Sequence, residues 1–356
     1  MSDRIKVLIV DDSAIARDLI ERGLSRNPDI EIVGKASDAF SARDRIVLRR
    51  PDVVTLDVEM PKMDGIEFLK RLLPQYPIPV VVVSAVTSEG SNRALEALAA
   101  GAVAVVGKPR ADNRQGLQVM LDDLSDAVVE ASKAKLRSQV RRSAAPLSAK
   151  PAPTATNRTN RVVAIGASTG GTTALNTLVS CLPSDFPPTL IVQHMPPVFT
   201  RMFAEALQRI SPMRVREAKD GDALERGLVL VAPGDFHMRA VSEGGLMRVR
   251  LDDGPKVSGH RPSVDVLLSS VAQVFGSRAV GAVLTGMGRD GADGLLEMRK
   301  AGGRCIAQDE ESSVVFGMPR EAWNNGAAEN LVSLENMPEA ISALLREPVR
   351  ETQWRR

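Results

Sequence analysis

The stretch from Arg161 to Gly171, R-V-V-A-I-G-A-S-T-G-G, decides how this chain is read. A short apolar run, Val162 to Ile165, ends in small residues around Ser168, and Thr173 to Leu182 has helical character. The local expectation is strand, tight turn, helix. Gly166, Ser168 and Gly170 match G-x-S-x-G, in which small neighbours let a serine sit exposed on a sharp turn. The free N–H groups of the following helix would face negative charge developing there. The same residues also suit a glycine-rich turn that only packs a helix on a sheet, or a phosphate-binding loop. Against a nucleotide-binding reading, G-x-x-x-G-G is neither a Rossmann G-x-G-x-x-G nor a Walker loop ending in G-K-S/T.

Outward from this turn, apolar runs alternate with helical stretches through the C-terminal half. Leu190 to Gln193 ends on His194, Gly227 to Ala232 ends at Pro233-Gly234, and Met247 to Leu251 is a further strand. Ala279 to Leu284 runs into T-G-M-G-R-D-G (285–291), with a helix through Lys300, and Arg304 to Gln308 closes the series. The pattern predicts a mixed α/β unit with a mostly parallel sheet and an antiparallel piece around Gly227 to Leu251.

The chain holds three histidines, His194, His237 and His260, so a serine nucleophile would draw its base from this set. Ser168, His194 and Asp290 each follow a predicted parallel strand, which puts them on one edge of the sheet. In that arrangement Ser168 attacks a carbonyl, His194 takes its proton, and Asp290 orients the imidazole; Asp265 or Asp235 also suits the third role. His237 and His260 are less well placed as bases. The order Ser, His, Asp differs from the Ser, Asp/Glu, His order of α/β-hydrolases, so the G-x-S-x-G match does not bring that fold with it.

The first 130 residues show five apolar runs, Val7–Val10, Glu31–Lys35, Val53–Leu56, Val80–Val83 and Val103–Val106. Helical stretches follow near 14–25, 39–49, 65–73, 92–100 and 114–132. Five such repeats predict a doubly wound parallel sheet, whose function collects at the carboxyl ends of the strands. Asp11, Asp12, Asp57, Ser84 and Lys108 occupy those ends. Clustered carboxylates repel, and a hard cation such as Mg²⁺ relieves the repulsion. Asp57 could then attack an electrophilic phosphorus, with Ser84 and Lys108 holding the transferred oxygens.

Composition sets the remaining bounds. The 356 residues suffice for two domains, and 44% hydrophobic with 25% charged residues are globular values. No apolar run is long enough to span a bilayer, and M-S-D-R-I-K lacks a signal peptide's core. Cys181 and Cys305 stand far apart in no metal-binding spacing, as in a reducing cytoplasm. A soluble, cytoplasmic protein without stable membrane insertion is expected. Between Lys133 and Arg161 lie eight basic residues and no acid, so a net +2 for the chain conceals −6 on the rest. This Ala/Pro/Ser/Thr-rich segment reads as a solvated linker. No compact basic helix-turn-helix pattern is found, which argues against a nucleic-acid partner. The expected division is 1–130, linker 131–159, 160–346, and a flexible tail 347–356.

The motifs V-D-D-S, L-D-V-E-M-P-x-M-D-G, V-S-A and G-K-P resemble, in order, those of response-regulator receiver domains. That resemblance implies a flavodoxin-like doubly wound sheet and phosphorylation of Asp57 by a partner histidine kinase. It also implies Mg²⁺ held by Asp12, Asp57 and the backbone carbonyl of Glu59, with Asp11 nearby. Receivers often carry Tyr or Phe three residues before the lysine; Val105 stands there, so an aromatic rotamer switch is not expected. Val105, Ala97 and Leu98 are candidates for a switching face or simply for packing.

In the second half, R-V-V-A-I-G-A-S-T-G-G, I-V-Q-H-M-P, A-P-G-D-F-H-M, R-P-S-V-D-V-L and L-T-G-M-G-R-D-G-A-D-G resemble successive motifs of the chemotaxis protein-glutamate methylesterase family. This implies Ser168, His194 and Asp290 as catalytic residues, settling Asp290 over Asp265. It further implies an oxyanion hole using the Met287 N–H, with Thr169 assisting. The implied reactions are hydrolysis of glutamyl methyl esters on chemoreceptors, releasing methanol, and deamidation of receptor glutamines. Phosphorylation at Asp57 would relieve a block of the esterase by the receiver. The competing readings are a nucleotide-binding output, a DNA-binding output and an inactive hydrolase relic.

Overall fold

The structure is a computed structural model that describes residues 4–60, 63–85, 87–109, 114–134 and 161–349. The chain forms two compact units, Met1–Ser143 and Ala144–Arg356. Most of the expected linker and the end of the expected tail, residues 135–160 and 350–356, lie outside the described residues.

In the first unit five βα repeats follow one another: β1 (Ile5–Val10), α1 (Ala14–Leu24), β2 (Ile30–Ala36), α2 (Ala39–Arg49), β3 (Val53–Leu56), α3 (Gly65–Leu72), β4 (Val80–Ala85), α4 (Ser88–Ala99), β5 (Ala104–Lys108) and α5 (Arg114–Ala131). The strands pair in the order β2-β1-β3-β4-β5, all parallel. Val7 to Val10 and Val80 to Val83 are almost fully buried, as strands covered by helices on both faces must be. Ser13, Asp38, Asp64 and Thr87 cap the helices that follow them by accepting first-turn N–H groups. The Thr87 cap, bonded to Gly90 N at 3.0 Å, starts α4 at Ser88, one turn before the Asn92 expected from the sequence. Ala97 and Leu98 are buried and serve packing. The strand order reverses between β1 and β3, where a crevice opens at the carboxyl ends.

The second unit is built on seven strands in the order β14-β13-β12-β6-β7-β9-β8. They are β6 (Val162–Ala167), β7 (Thr189–Gln193), β8 (Arg214–Glu217), β9 (Leu228–Val231), β12 (Ala279–Val283), β13 (Arg304–Gln308) and β14 (Asn330–Val332). Every pairing among them is parallel. Two further strands, β10 (His237–Glu243) and β11 (Leu246–Asp252), form a separate antiparallel hairpin. The helices are α6 (Gly171–Ser180), α7 (Phe199–Ile210), α8 (Val264–Phe275), α9 (Ala292–Lys300), α10 (Met318–Asn324) and α11 (Met337–Arg346). The antiparallel piece therefore begins at His237 and not at Gly227. Leu228 to Val231 is buried on both faces between β7 and β8, and such a strand shows no alternation to betray its neighbours. The hairpin lies on α8: Ala240 N donates to Ser270 Oγ at 2.9 Å, and Met238, Ala240 and Val249 share a core with Leu267 and Val271. Chain order runs outward in opposite directions from β6 and β12, so the reversal falls between those two strands.

Candidate active site

At that reversal the turn after β6 is built from close contacts. Ser168 N donates to Thr285 O, 3.0 Å, beyond the end of β12, and Ser168 O accepts from Gly171 N at 2.7 Å. Gly170 takes φ +78°, open to glycine at little cost, and so lets α6 start three residues after the serine. Gly286 lies flat against the turn; a Cβ there would stand 2.8 Å from Ser168 Cβ and 2.3 Å from Met318 Sδ. Ser168 is 7% exposed. The N–H of Met287, next to Gly286, forms no hydrogen bond among the described residues. Thr169 O accepts from Thr285 Oγ1 at 2.9 Å.

His194 follows β7 directly, its N–H bonded to Ala167 O at 3.1 Å. Its Nε2 meets Asp290 Oδ2 at 2.8 Å. An ionised carboxylate only accepts, so Nε2 carries the proton and Nδ1 offers a lone pair. Nδ1 is buried and has no partner among the described residues. Gln193 Nε2 straps the site by donating to Ser168 O, 3.0 Å, and His194 O, 3.1 Å.

Asp290 accepts from Ser263 Oγ (2.7 Å), Val264 N (2.7 Å) and Asp265 N (3.0 Å) as well as from His194. It therefore caps the first turn of α8 from a distance in sequence. Burial alone would raise its pKa, but the His194 bond and charge and the α8 donors outweigh burial and hold the carboxyl well below the usual range. Asp265 does the converse for α9. Its Oδ1 accepts from Gly291 N (2.9 Å) and Gly294 N (2.8 Å), and its Oδ2 from Ser258 Oγ (3.0 Å). Burial, with the Asp290 charge beside it, pushes Asp265 up to about 6.

The other candidates fall away from this core or join it unexpectedly. His237 accepts from Ser263 N at Nδ1 (3.2 Å), so its Nε2–H donates to Pro255 O (2.9 Å); both nitrogens are engaged. Asp235 sits in a turn at φ +64°, joined through its N–H to Arg261 O. His260 stacks on His194, ring centroids 3.7 Å apart and planes at 12°.

In the first unit, Asp11, Asp12 and Asp57 bring carboxylate oxygens within 4.8 Å of one another at the β1/β3 crevice. Asp11 and Asp57 are buried and Asp12 is exposed. Lys108 Nζ lies 2.8 Å from Asp11 Oδ2 and 2.6 Å from Asp57 Oδ2. Burial raises the Asp11 pKa despite the lysine. Burial also works against the Lys108 charge, but the Asp57 and Asp11 carboxylates raise its pKa overall. Glu59 N donates to Asp57 Oδ1 at 3.0 Å. Ser84 is buried at the end of β4, and its hydroxyl donates to Gly90 O at 2.9 Å.

Gln193 and Thr285 were assigned no role from the sequence, and His260 was weighed there only as a base. Gln193 had one usable signal, an uncharged polar residue at the buried end of a strand just before a candidate base. For the stacking of His260 no local signal exists.

Comparison with known proteins finds a match for each of the two units. A family model described as response regulator receiver domain matches residues 7–120, and one described as CheB methylesterase matches residues 163–341. The chain is 49% identical over 350 residues, 98% of its length and 99% of the relative's, to a protein-glutamate methylesterase/protein-glutamine glutaminase of Syntrophotalea carbinolica. A relative of the same name in Caulobacter vibrioides is 50% identical over 339 residues, 95% of this chain and 97% of that one. The crystal structure of the Thermotoga maritima CheB methylesterase catalytic domain matches with a TM-score of 0.51 and 39% identity, covering 52% of this chain and all of that one.

Proposed function

The chain belongs to the CheB methylesterase family, and from that premise we propose how its residues divide the work. It is a response regulator whose output is a protein-glutamate methylesterase/protein-glutamine glutaminase, a hydrolase of esters and amides. We assign residues 1–130 to the receiver, 131–159 to the linker, 160–346 to the hydrolase and 347–356 to the tail. The substrate is a glutamyl methyl ester, or a glutamine, on the cytoplasmic part of a methyl-accepting chemoreceptor; the phosphodonor is a chemotaxis histidine kinase. The protein works in the cytoplasm without nucleic acid. Among the described residues no helix is long and apolar enough to cross a membrane.

In the hydrolase, Ser168 Oγ attacks the side-chain carbonyl while His194 Nδ1 takes its proton. Asp290 keeps the proton on Nε2 and offsets the charge of the imidazolium that forms. The oxyanion is received by the Met287 N–H and by amides at the start of α6, with Thr169 assisting. His194 returns the proton to the leaving oxygen or nitrogen, releasing methanol or ammonia, and the acyl-enzyme is hydrolysed by the reverse sequence. The observation that carries this reading is the 2.8 Å bond from His194 Nε2 to an ionised Asp290, with Nδ1 bare on the other side of the ring.

In the receiver, Asp57 is the phosphoryl acceptor. Three carboxylates gathered against a single lysine ammonium form an all-oxygen, net-negative donor set, which fits Mg²⁺. Asp11, Asp12, Asp57 and the Glu59 carbonyl would hold it, and the ion would neutralise charge between Asp57 and the incoming phosphoryl group. Lys108 is placed to hold a phosphoryl oxygen. Ser84 joins it by turning its hydroxyl away from Gly90 O.

The test is methanol release from a methyl-esterified receptor, with and without a small-molecule phosphodonor. Ser168→Ala is expected to lose at least about a thousandfold in rate. Asp57→Ala is expected to keep basal activity and lose stimulation. Activity surviving in Ser168→Ala would overturn the nucleophile, and stimulation surviving in Asp57→Ala would overturn the switch.

A further inference from the structure

The geometry points to His260 as a positioning residue for the esterase reaction: a flat, neutral ring that fixes the plane of the His194 imidazole. This inference rests on the assignment of His194 as the base. A single hydrogen bond, Nε2 to Asp290, holds one edge of the His194 ring and leaves it free to tilt about that bond. The His260 ring, 3.7 Å away and within 12° of parallel, closes one face and removes that freedom. Nδ1 is then held on a constant line of approach.

His260 is itself well anchored. Its N–H and C=O pair with those of Val257 at 2.9 and 3.0 Å, and Arg261 Nη1 donates to the carbonyls of Asp253 and Gly254. Ser258 Oγ in the same loop bonds to Asp265, the residue that also holds Gly291 beside Asp290. The ring and the carboxylate that flank His194 thus share one support.

Neutrality matters as much as flatness. Burial foremost, with the His194 charge and Lys256, pushes the His260 pKa down to about 3 against the opposing charge of Asp290. Near neutral pH His260 therefore presents an uncharged π face to the imidazolium that His194 becomes, an attractive contact. A second cation at that distance would oppose proton uptake.

Three full-length variants test this, with methanol release from a methyl-esterified receptor fragment read in the presence of phosphodonor. His260→Ala removes the ring, His260→Asn keeps polar atoms without a ring, and His260→Phe keeps a flat neutral face without nitrogens. Ala and Asn are expected to lower kcat about tenfold to a hundredfold with KM within about twofold, as misplacement of a base does. Phe is expected to restore kcat to within about threefold of the parent. Full activity of His260→Ala, or Phe no better than Ala, overturns the inference; so does a loss carried by KM. Ser168→Ala assayed alongside separates the two levels. If it is inactive while His260→Ala is fully active, only the positioning role fails; if it stays active, the underlying assignment fails.

Discussion

At the residue scale, the site depends on one carboxylate doing two jobs. Asp290 orients His194 and accepts three donors from the start of α8. Asp290→Asn keeps the shape but puts an amide where an anion is needed. Its NH2 must then face the His194 Nε2–H and Val264 N–H if it takes the place of Oδ2, or the Asp265 N–H if it takes the place of Oδ1. The expected result is a fall in kcat on the order of 10⁴, read by methanol release, while KM stays near that of the parent. A fall of less than tenfold would mean that Asp290 only shapes the loop. The placement of Ser168, His194 and Asp290 at one edge of the sheet was readable because each follows a local apolar run, and strand ends converge in parallel sheets. The choice between Asp290 and Asp265 was not readable from the residues alone. Both acids are buried at helix starts and each caps the other's helix, so only the long-range bond to His194 separates them.

At the element scale, α8 and α9 are joined by this exchange of caps, and the cost is two carboxylates in one buried space. Asp290 keeps its charge, and Asp265 bears the cost as a pKa raised to about 6. The sign follows from linkage. Between the unfolded value, near 4, and about 6 the folded state holds a proton that the unfolded chain has lost, so this group's contribution falls as pH rises through that window. Asp265→Asn should remove the slope. Its Oδ1 keeps both glycine amides, and Ser258 can accept from the new amide where it formerly donated. Denaturant unfolding of the variant against the parent is expected to show a gain of about 1–2 kcal/mol at pH 7.5, shrinking towards pH 5. A difference independent of pH would show that Asp265 is ionised throughout. At this scale the sequence misled at the hairpin, as it did by one turn at the start of α4. The run Gly227 to Ala232 looked like its first strand because it ends in Pro233-Gly234, whereas the turn of the true hairpin is Gly244-Gly245, both at positive φ.

At the scale of the whole molecule, two unrelated chemistries use the same architectural position. In each unit the candidate site residues stand where a parallel sheet reverses its strand order, between β1 and β3 and between β6 and β12. The residues proposed for each site come from one unit, Asp11, Asp12, Asp57 and Lys108 from the first and Ser168, His194 and Asp290 from the second, and the proposed Mg²⁺ donors belong to the first alone. Chelating divalent cations with EDTA is therefore expected to abolish phosphodonor stimulation while basal methanol release persists. Loss of basal activity under the same conditions would place a metal requirement in the hydrolase itself.

The exchanged caps on α8 and α9 carry a consequence for local opening. The amides of Val264, Asp265, Gly291 and Gly294 all end on two carboxylates that hold each other's helices, so none can be released alone. Their hydrogen exchange should follow a single opening event with one free energy, although they belong to different elements. Whenever that event occurs, His194 loses its orienting acid. The open population read at these four amides thus sets an upper bound on the fraction of time the hydrolase spends ready to react.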